Sequence, residues 1–200
     1  MLSNSVKKPD PRTVRTLKSL QAALNELLTE KEFAKITVQD ITERAGVNRA
    51  TFYDRFTDKY DLLNYSVREE FQARLANRLP DSPLLTMDNL RILTLTVCEF
   101  LGGFIGHCAP TGQRDDRFMM VQQVQFSMND AILSWAKRSL LPGGRSPVSP
   151  ETIATVSSFA IFGAVLEWAR TGRKLPPERL TEQVVTLLAT GVGVYLVAPA

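Results

Sequence analysis

The sequence contains few of the residues on which catalysis and metal binding most often depend. Its 200 residues include one histidine and two cysteines, and no Walker-type loop or GxSxG element occurs. A nucleophile with its base has little to be built from, so we expect no enzyme activity and no cofactor. Cys98, His107 and Cys108 suggest a metal site, but adjacent helical side chains diverge by about 100° and no fourth ligand is evident. We therefore expect no metal.

Two further absences bear on the cellular compartment in which we expect the protein. The first ten residues, MLSNSVKKPD, lack the apolar run of a signal peptide, and two cysteines do not make a disulfide framework. Both features are typical of a cytoplasmic protein with reduced thiols. The apolar run from Val184 to Leu196 is shorter than the ~20 residues that span a bilayer, and Glu182 and Gln183 precede it. We therefore prefer a buried helix to a membrane anchor.

Apolar residues recur at spacings of three and four along most of the chain, which is typical of amphipathic helices. No stretch alternates as a strand would. The pattern predicts an all-α protein of about nine helices, with an N-terminal three-helix head and a larger C-terminal helical body. The longer predicted helices cover residues 13–29, 59–79, 86–107, 115–141, 150–170 and 177–196.

A tight turn joins two short predicted helices in the head. Thr37 is placed to cap the first helix, with Asp40 as its capping-box partner. Gly46 supplies the left-handed residue that ends this helix, and Asn48 is a good N-cap for the second, Arg49 to Phe56. Two helices with about three residues between them and a glycine in the turn predict a helix-turn-helix. The second helix of such a motif enters the DNA major groove.

This second helix has an inner and an outer face. Phe52 and Phe56 form the inner stripe, which leaves Ala50, Thr51 and Asp54 facing outward at about 100° per residue. Ala50 and Thr51 are small enough to meet a thymine methyl. Asp54 has two possible roles: it accepts from a cytosine amino group, or it tethers a neighbouring arginine.

Longer polar side chains flank this small patch. Arg49 or Arg55 can form a fork of hydrogen bonds with a guanine, and Tyr53 can donate to a phosphate. Lys59 follows in the first turn of the next helix, which Asp58 caps. A cation beside free backbone N–H groups could hold another phosphate there.

The string ITERAGVNRATFYDRFTDKYDLL closely resembles the TetR family of bacterial transcriptional regulators, and the resemblance extends over about residues 15–63. In that family the helix after the Gly-Val turn reads operator bases. The resemblance implies base-facing positions for Arg49, Ala50, Thr51 and Arg55, and phosphate-contacting positions for Thr37, Tyr53 and Lys59. The full set of predicted DNA-binding residues is Thr37, Asn48, Arg49, Ala50, Thr51, Tyr53, Arg55 and Lys59.

The positive charge of the chain lies in the head. Residues 1–60 hold 11 basic and 8 acidic side chains, while the whole chain carries a net charge of +3. A basic arm before a DNA-reading module is an electrostatic footprint for phosphates. The predicted organisation is a basic arm (1–12), a helix-turn-helix domain (13–60) and a ligand-binding and dimerisation domain (61–200).

The last two predicted helices carry more apolar surface than one chain can cover easily. Ile153, Val156, Phe159, Phe162 and Val165 lie on the first of them, and the second is apolar nearly all round. A two-fold partner that packs the same helix pair would cover both. In the family such a pair forms the dimer interface, and the dimer binds a palindromic operator. The alternative is a core formed within one chain.

The middle helices are where we expect a small, mostly apolar effector. Large apolar side chains with a few polar groups are typical of ligand pockets, although such a stripe is also typical of an ordinary core. Family behaviour favours a repressor released by its effector, while activation stays open. A second alternative is a family-like coactivator that binds a protein partner and not DNA. The predicted ligand-binding residues are Phe100, Phe104, His107, Met119, Gln123, Phe126, Phe159 and Trp168.

Overall fold

The computed structural model describes the backbone of residues 10–107, 114–139 and 148–192. The described side chains are those of residues 10–102, 121–139 and 148–190. Within these ranges the chain forms eight α-helices, one 3₁₀ helix and no strand, which confirms the predicted all-α class. The helices are α1 (Pro11–Glu30), the 3₁₀ helix (Phe33–Lys35), α2 (Val38–Ala45), α3 (Arg49–Tyr53), α4 (Lys59–Ala76), α5 (Met87–His107), α6 (Arg114–Ser139), α7 (Pro150–Arg170) and α8 (Pro177–Val192).

The helices divide into two compact units. The first comprises Met1–Ser66 with Thr111–Asp116, and the second comprises Val67–Pro110 with Arg117–Ala200. The division falls inside α4, a few residues after the predicted boundary at residue 60. We refer to the described part of the first unit as the head and to that of the second as the body.

The core of the head forms where α1 packs on α2 and α2 packs on α3. Asp10 caps α1 by accepting a hydrogen bond from the Arg12 N–H, and Pro11 occupies the first helical position, where no N–H is needed. Leu20, Leu24 and Ile41 are completely buried. Burying each such side chain contributes about 1.5–3 kcal/mol, so this small core accounts for much of the stability of the head.

The second helix of the turn motif is shorter than its sequence predicts. Helix α3 ends at Tyr53, whereas the apolar stripe predicts a helix to Phe56. Asp54 and Arg55 form a turn, although the Phe56 N–H still bonds to the Phe52 carbonyl at 2.9 Å. Both phenylalanines are buried as predicted, because the turn keeps Phe56 on the inner side.

The body is centred on α5, which packs against both α7 and α8, while α7 packs against α8. Helix α7 begins where the sequence predicts: Ser149 accepts a hydrogen bond from the Thr152 N–H, Pro150 takes the first position, and Glu151 lies in the first turn. Ile153, Ile161 and Val165, among others, face the core.

A latch of side chains fixes the turn between α7 and α8. Gly172 and Arg173 both have positive φ values, of 87° and 55°, and the Arg173 N–H bonds back to the Trp168 carbonyl at 3.0 Å. The Arg173 guanidinium donates to the Gly102 carbonyl of α5. The Trp168 indole N–H donates to the Leu175 carbonyl at 2.8 Å. The Trp-Ala-Arg-Thr-Gly-Arg segment is thus explained by helix termination.

Helix α7 also has the length and composition of a membrane span. It is the one helix among the described residues with this property, and 44% of its apolar 18-residue stretch is buried inside the protein. Core helices of proteins that never enter a membrane meet the same criterion, so the property alone decides little.

Ion pairs connect α1 to α2 at the surface of the head. Arg44 lies 2.8 Å from Glu30 and 3.3 Å from Glu26, and these carboxylates raise the pKa of its guanidinium. Lys31 lies 2.9 Å from Asp40. Asp40 also accepts hydrogen bonds from the backbone N–H of Thr37 at 2.7 Å and from its hydroxyl at 2.8 Å. Lys31 and these Thr37 donors lower the pKa of Asp40 to about 2.

The Asp40→Asn variant should therefore be less stable than the parent in a pH-dependent way. Because the pKa of Asp40 is depressed on folding, its contribution is complete above its usual value of 3.8 and disappears as pH falls through about 2. Urea unfolding at a series of pH values should show the difference between the two proteins narrowing over that window. Glu43→Gln, which removes a carboxylate that accepts from the neutral Gln39 amide and forms no ion pair among the described residues, is the control. A difference that does not change with pH would contradict the assignment.

Candidate nucleic-acid interface

The turn between α2 and α3 has the geometry that its sequence predicts. Thr37 and Asp40 form a reciprocal capping box at the start of α2. Gly46 has φ 66° and ψ 32°, the left-handed conformation, and the next N–H, of Val47, bonds to the Thr42 carbonyl at 3.0 Å. The Asn48 side-chain oxygen accepts the Thr51 N–H at 2.7 Å and so caps α3. The two helices therefore form a helix-turn-helix.

Helix α3 is anchored on one side and exposed on the other. Phe52 is completely buried, and its ring packs edge-on against Tyr53, with 5.4 Å between the ring centroids. On the outer side Arg49 and Ala50 are exposed, Tyr53 is 52% exposed and Thr51 is half-buried. The small-residue patch flanked by longer polar side chains is thus present on the surface.

The guanidinium of Arg55 is held by the first turn of α1. Its Nη2 donates to the Thr13 hydroxyl at 2.9 Å, across 42 residues of chain. Among the described residues neither Arg49 nor Arg55 forms an ion pair with the exposed Asp54, so the tether that the sequence allows is not made. Sequence reasoning missed Thr13, because nothing local connects it to Arg55.

Lys59 has a different environment from the one that the sequence suggests. Its ammonium donates to the carbonyls of Phe33, Ala34 and Ile36 at 2.8–3.0 Å, and it lies 4.7 Å from the centroid of the Phe33 ring. Three donors thus meet three acceptors at the end of the 3₁₀ helix. A phosphate contact by Lys59 stays a prediction, and it would require at least one of these bonds to break.

The predicted ligand-binding residues do not form one cluster among the described residues. Phe100 is buried against Phe71, with the ring centroids 5.7 Å apart, and Trp168 is buried in the α7–α8 latch. Gln123 is half-buried. Phe126 and Phe159 are 54% and 58% exposed. The remaining predicted residues, Phe104, His107 and Met119, lie outside the described side chains.

The described thiol shows no sign of reactivity. Cys98 is buried, and burial raises the pKa of its thiol to about 11, far from the range of a nucleophile. Within the described part of the chain no group of three metal-ligating side chains comes together. Cys108 and His107 lie outside the described side chains.

The fold and the turn motif define a class: a helical protein of two units with a helix-turn-helix in the N-terminal one. The model of the bacterial regulatory proteins of the tetR family matches residues 20–65, which include this motif. Residues 20–65 thus carry the DNA-binding domain of the TetR family of transcriptional regulators. Members of this family are regulators and not enzymes.

Individual relatives support the same family. YxbF, an uncharacterised HTH-type transcriptional regulator of Bacillus subtilis, is 43% identical over 63 residues, which are 31% of this chain and 17% of YxbF. DhaS, the dhaKLM operon activator of Lactococcus lactis, is 23% identical over 92% of this chain and 94% of its own. The solved DhaS structure covers 92% of this chain and 99% of its own, with a TM-score of 0.54. The solved SmeT–triclosan complex is 16% identical, with a TM-score of 0.51, over 88% and 90%.

Replacing Lys59 by methionine should destabilise the protein by about 2 kcal/mol, because the partly buried carbonyls lose charged hydrogen bonds while the aliphatic stem keeps its packing. Thermal or urea unfolding measures the loss. Lys35→Met is the matched control: Lys35 is exposed, and its ion pair with Glu32 is a surface one, so little change is expected. Equal stability of the Lys59→Met variant and the parent would show that the carbonyl bonds contribute nothing.

Proposed function

We propose that this protein is a DNA-binding transcriptional regulator in which α3 reads bases in the major groove. The observation that carries the proposal is the exposed outer face of α3, where Arg49, Ala50 and Tyr53 face outward from a helix anchored by buried Phe52. An arginine can pair with guanine through two hydrogen bonds, and small side chains allow close approach to a thymine methyl. Thr51, Asn48 and Arg55 complete the proposed reading surface.

Basic residues of α1 support the same proposal. Arg12, Arg15 and Lys18 are exposed on the helix whose first turn holds Arg55. Cations beside a reading helix attract phosphates and give affinity that depends on salt. Thr37, Tyr53 and Lys59 are the further proposed phosphate contacts. We assign the protein to the cytoplasm, where bacterial DNA is found.

Arg49→Ala should lower the affinity for the operator by about 1–3 kcal/mol while affinity for random DNA changes little, because a base contact is lost and phosphate contacts remain. Gel shifts with the DNA flanking the protein's own gene, and with a scrambled duplex, measure both. Tyr53→Phe is the matched variant and should weaken binding to both duplexes alike. If Arg49→Ala lost the same affinity for both duplexes, Arg49 would position the protein on DNA and would not read its sequence.

The same gel shift separates DNA binding from the rival function. A family-like coactivator that acts on a protein partner would bind neither duplex. The exposed Arg49 and Tyr53 favour DNA binding over this alternative, because a protein that no longer contacts DNA does not need these side chains on its surface.

We propose further that the functional unit is a homodimer held by α7 and α8. Val156 and Phe159 on α7 are 54% and 58% exposed, and Leu187 on α8 is 73% exposed. No charged side chain lies on α7 between Glu151 and Glu167. A Cβ at Gly163 would meet nothing within 4 Å, so a partner helix can approach closely there. Two heads related by a two-fold axis would bind a palindromic operator with half-sites ~34–36 Å apart.

Phe159→Glu should turn the dimer into a monomer, because the charge would be buried without a partner at the interface. Light scattering coupled to size-exclusion chromatography at micromolar concentration measures the mass. Ala73→Glu adds the same charge at an exposed position of α4 and should leave the dimer intact. A parent protein that is already monomeric would overturn the proposed dimer.

A small-molecule effector completes the proposal, and release from the operator is the favoured response. SmeT, which shares the fold, was solved in complex with triclosan, whereas DhaS is described as an activator. The response to a ligand thus has two alternatives, which are relief of repression and activation. The proposed effector residues remain Phe100, Gln123 and Trp168 among those described, with Phe104, His107 and Met119 outside them. Phe126 and Phe159 are also proposed, but both are more than half exposed, and Phe159 lies on the proposed dimer surface.

A further inference from the structure

The residues that line a groove in the body differ from those that the sequence associates with a ligand. The groove is formed by the last turns of α4, the residues that follow it and the C-terminal half of α6, and it encloses about 430 Å³. Pockets for small organic molecules have volumes of about 300–1,000 Å³. All of its lining residues belong to the body. The groove is therefore large enough for a small ligand.

One wall of the groove is apolar. Leu75 and Trp135 are 6% and 3% exposed, and Leu79 and Ala131 extend the same wall. A wall of this kind buries the hydrocarbon or aromatic part of a ligand, at about 25 cal/mol per Å² of apolar surface. This apolar wall adds affinity for any ligand with an apolar part, whatever the charge of that ligand.

The polar part of the groove is acidic. Asp81 and Asp130 line it, both are exposed, and neither has an ion-pair partner among the described residues. No lysine or arginine is among the lining residues. Arg138 donates from Nε and Nη2 to the Pro83 carbonyl at 3.1 and 2.9 Å, and it forms no ion pair with either carboxylate among the described residues. The groove thus favours a cation.

A buried hydroxyl adds a second polar feature. Ser127 lines the groove, is 3% exposed, and its Oγ has no hydrogen-bond partner in the described structure. A buried polar group without a partner costs about 1–3 kcal/mol. Because this oxygen is itself buried, a ligand N–H would reach it only after the groove wall moves, and the bond formed would then remove that cost.

We propose that this groove binds an amphipathic organic cation, with its ammonium group at Asp81 and Asp130 and its apolar part against Leu75 and Trp135. Helix α4 connects the groove to the head: it begins at Lys59, whose ammonium holds the 3₁₀ helix, and its last turn lines the groove. The cation is then an effector that acts through α4. This regulatory part rests on the proposed function, whereas the binding site does not.

Calorimetry with three probes of the same shape tests the site. In 4-phenylbutylammonium, 4-phenylbutanol and 5-phenylpentanoate the apolar part, a phenyl ring on four methylene groups, is constant while the charge changes from positive to neutral to negative. The intact protein should bind the cation about ten times more tightly than the alcohol, and the anion more weakly than both. Equal affinity for all three, or no binding of the cation at millimolar concentration, would overturn the proposal.

Two variants place the cation in this groove. Asp81→Asn combined with Asp130→Asn should weaken binding of 4-phenylbutylammonium about tenfold and change that of 4-phenylbutanol less than about twofold, because partly exposed charge pairs contribute modestly. Ala131→Phe should block both probes by filling the apolar wall. Asp88→Asn, which removes a carboxylate of α5 outside the groove, should change neither. Unchanged binding in the double variant would assign the cation to another surface.

Gel shifts with the same cation then test the effector role. The cation should lower the affinity for DNA by at least about fivefold in the parent protein and not in the double variant. If the affinity for DNA were equal with and without the cation, the effector role would be overturned but the binding site would not. A protein that binds the cation but no DNA would overturn the proposed function instead.

Discussion

The proposed reading surface of α3 depends on the burial of one side chain, Phe52. Helix α3 has five residues, and an isolated helix shorter than about 12–15 residues is marginal in water. Its orientation therefore comes from its contacts: Phe52 enters the core of the head, Asn48 caps the first turn, and the Gly46 conformation sets the entry of the chain. The outer residues are presented to solvent only because this inner contact exists. A change at Phe52 would displace every proposed base contact at once.

Features that depend on neighbouring residues were predictable from the sequence. The capping box of Thr37, the left-handed Gly46 and the Ser149-Pro150 start of α7 all follow from local chemistry, and the structure confirms each of them. The end of α3 was predicted wrongly because Phe56 keeps its buried side while the backbone has already turned. Contacts across the sequence were not predictable. Thr13 reaches Arg55 over 42 residues, and the carbonyls that bind Lys59 lie 23–26 residues away.

Periodicity identified which residues of the body are apolar but not what covers them. Helix α7 carries buried residues such as Ile161 and exposed ones such as Phe159 on different faces. A helix that is apolar on both faces satisfies the criterion for a membrane span, for a core and for an interface between subunits. Burial separates these faces, and the sequence pattern does not. Phe126 and Phe159, which the apolar pattern places in an effector chamber, are both more than half exposed in the described structure, and the pattern does not predict that exposure.

The charge of the side chains that line the groove in the body determines which ligands it can distinguish. An apolar wall accepts hydrocarbon of either charge, so a chamber identified by phenylalanine and methionine alone leaves the ligand undefined. Two carboxylates without ion-pair partners in the described structure remove that ambiguity, because desolvating an anion beside them is unfavourable while a cation gains from both. They come from Asp81, in the connection after α4, and from Asp130 on α6, and no local motif brings these two positions together. The proposed ligand chemistry of the body therefore depends on tertiary structure, whereas the helix-turn-helix of the head follows largely from local sequence.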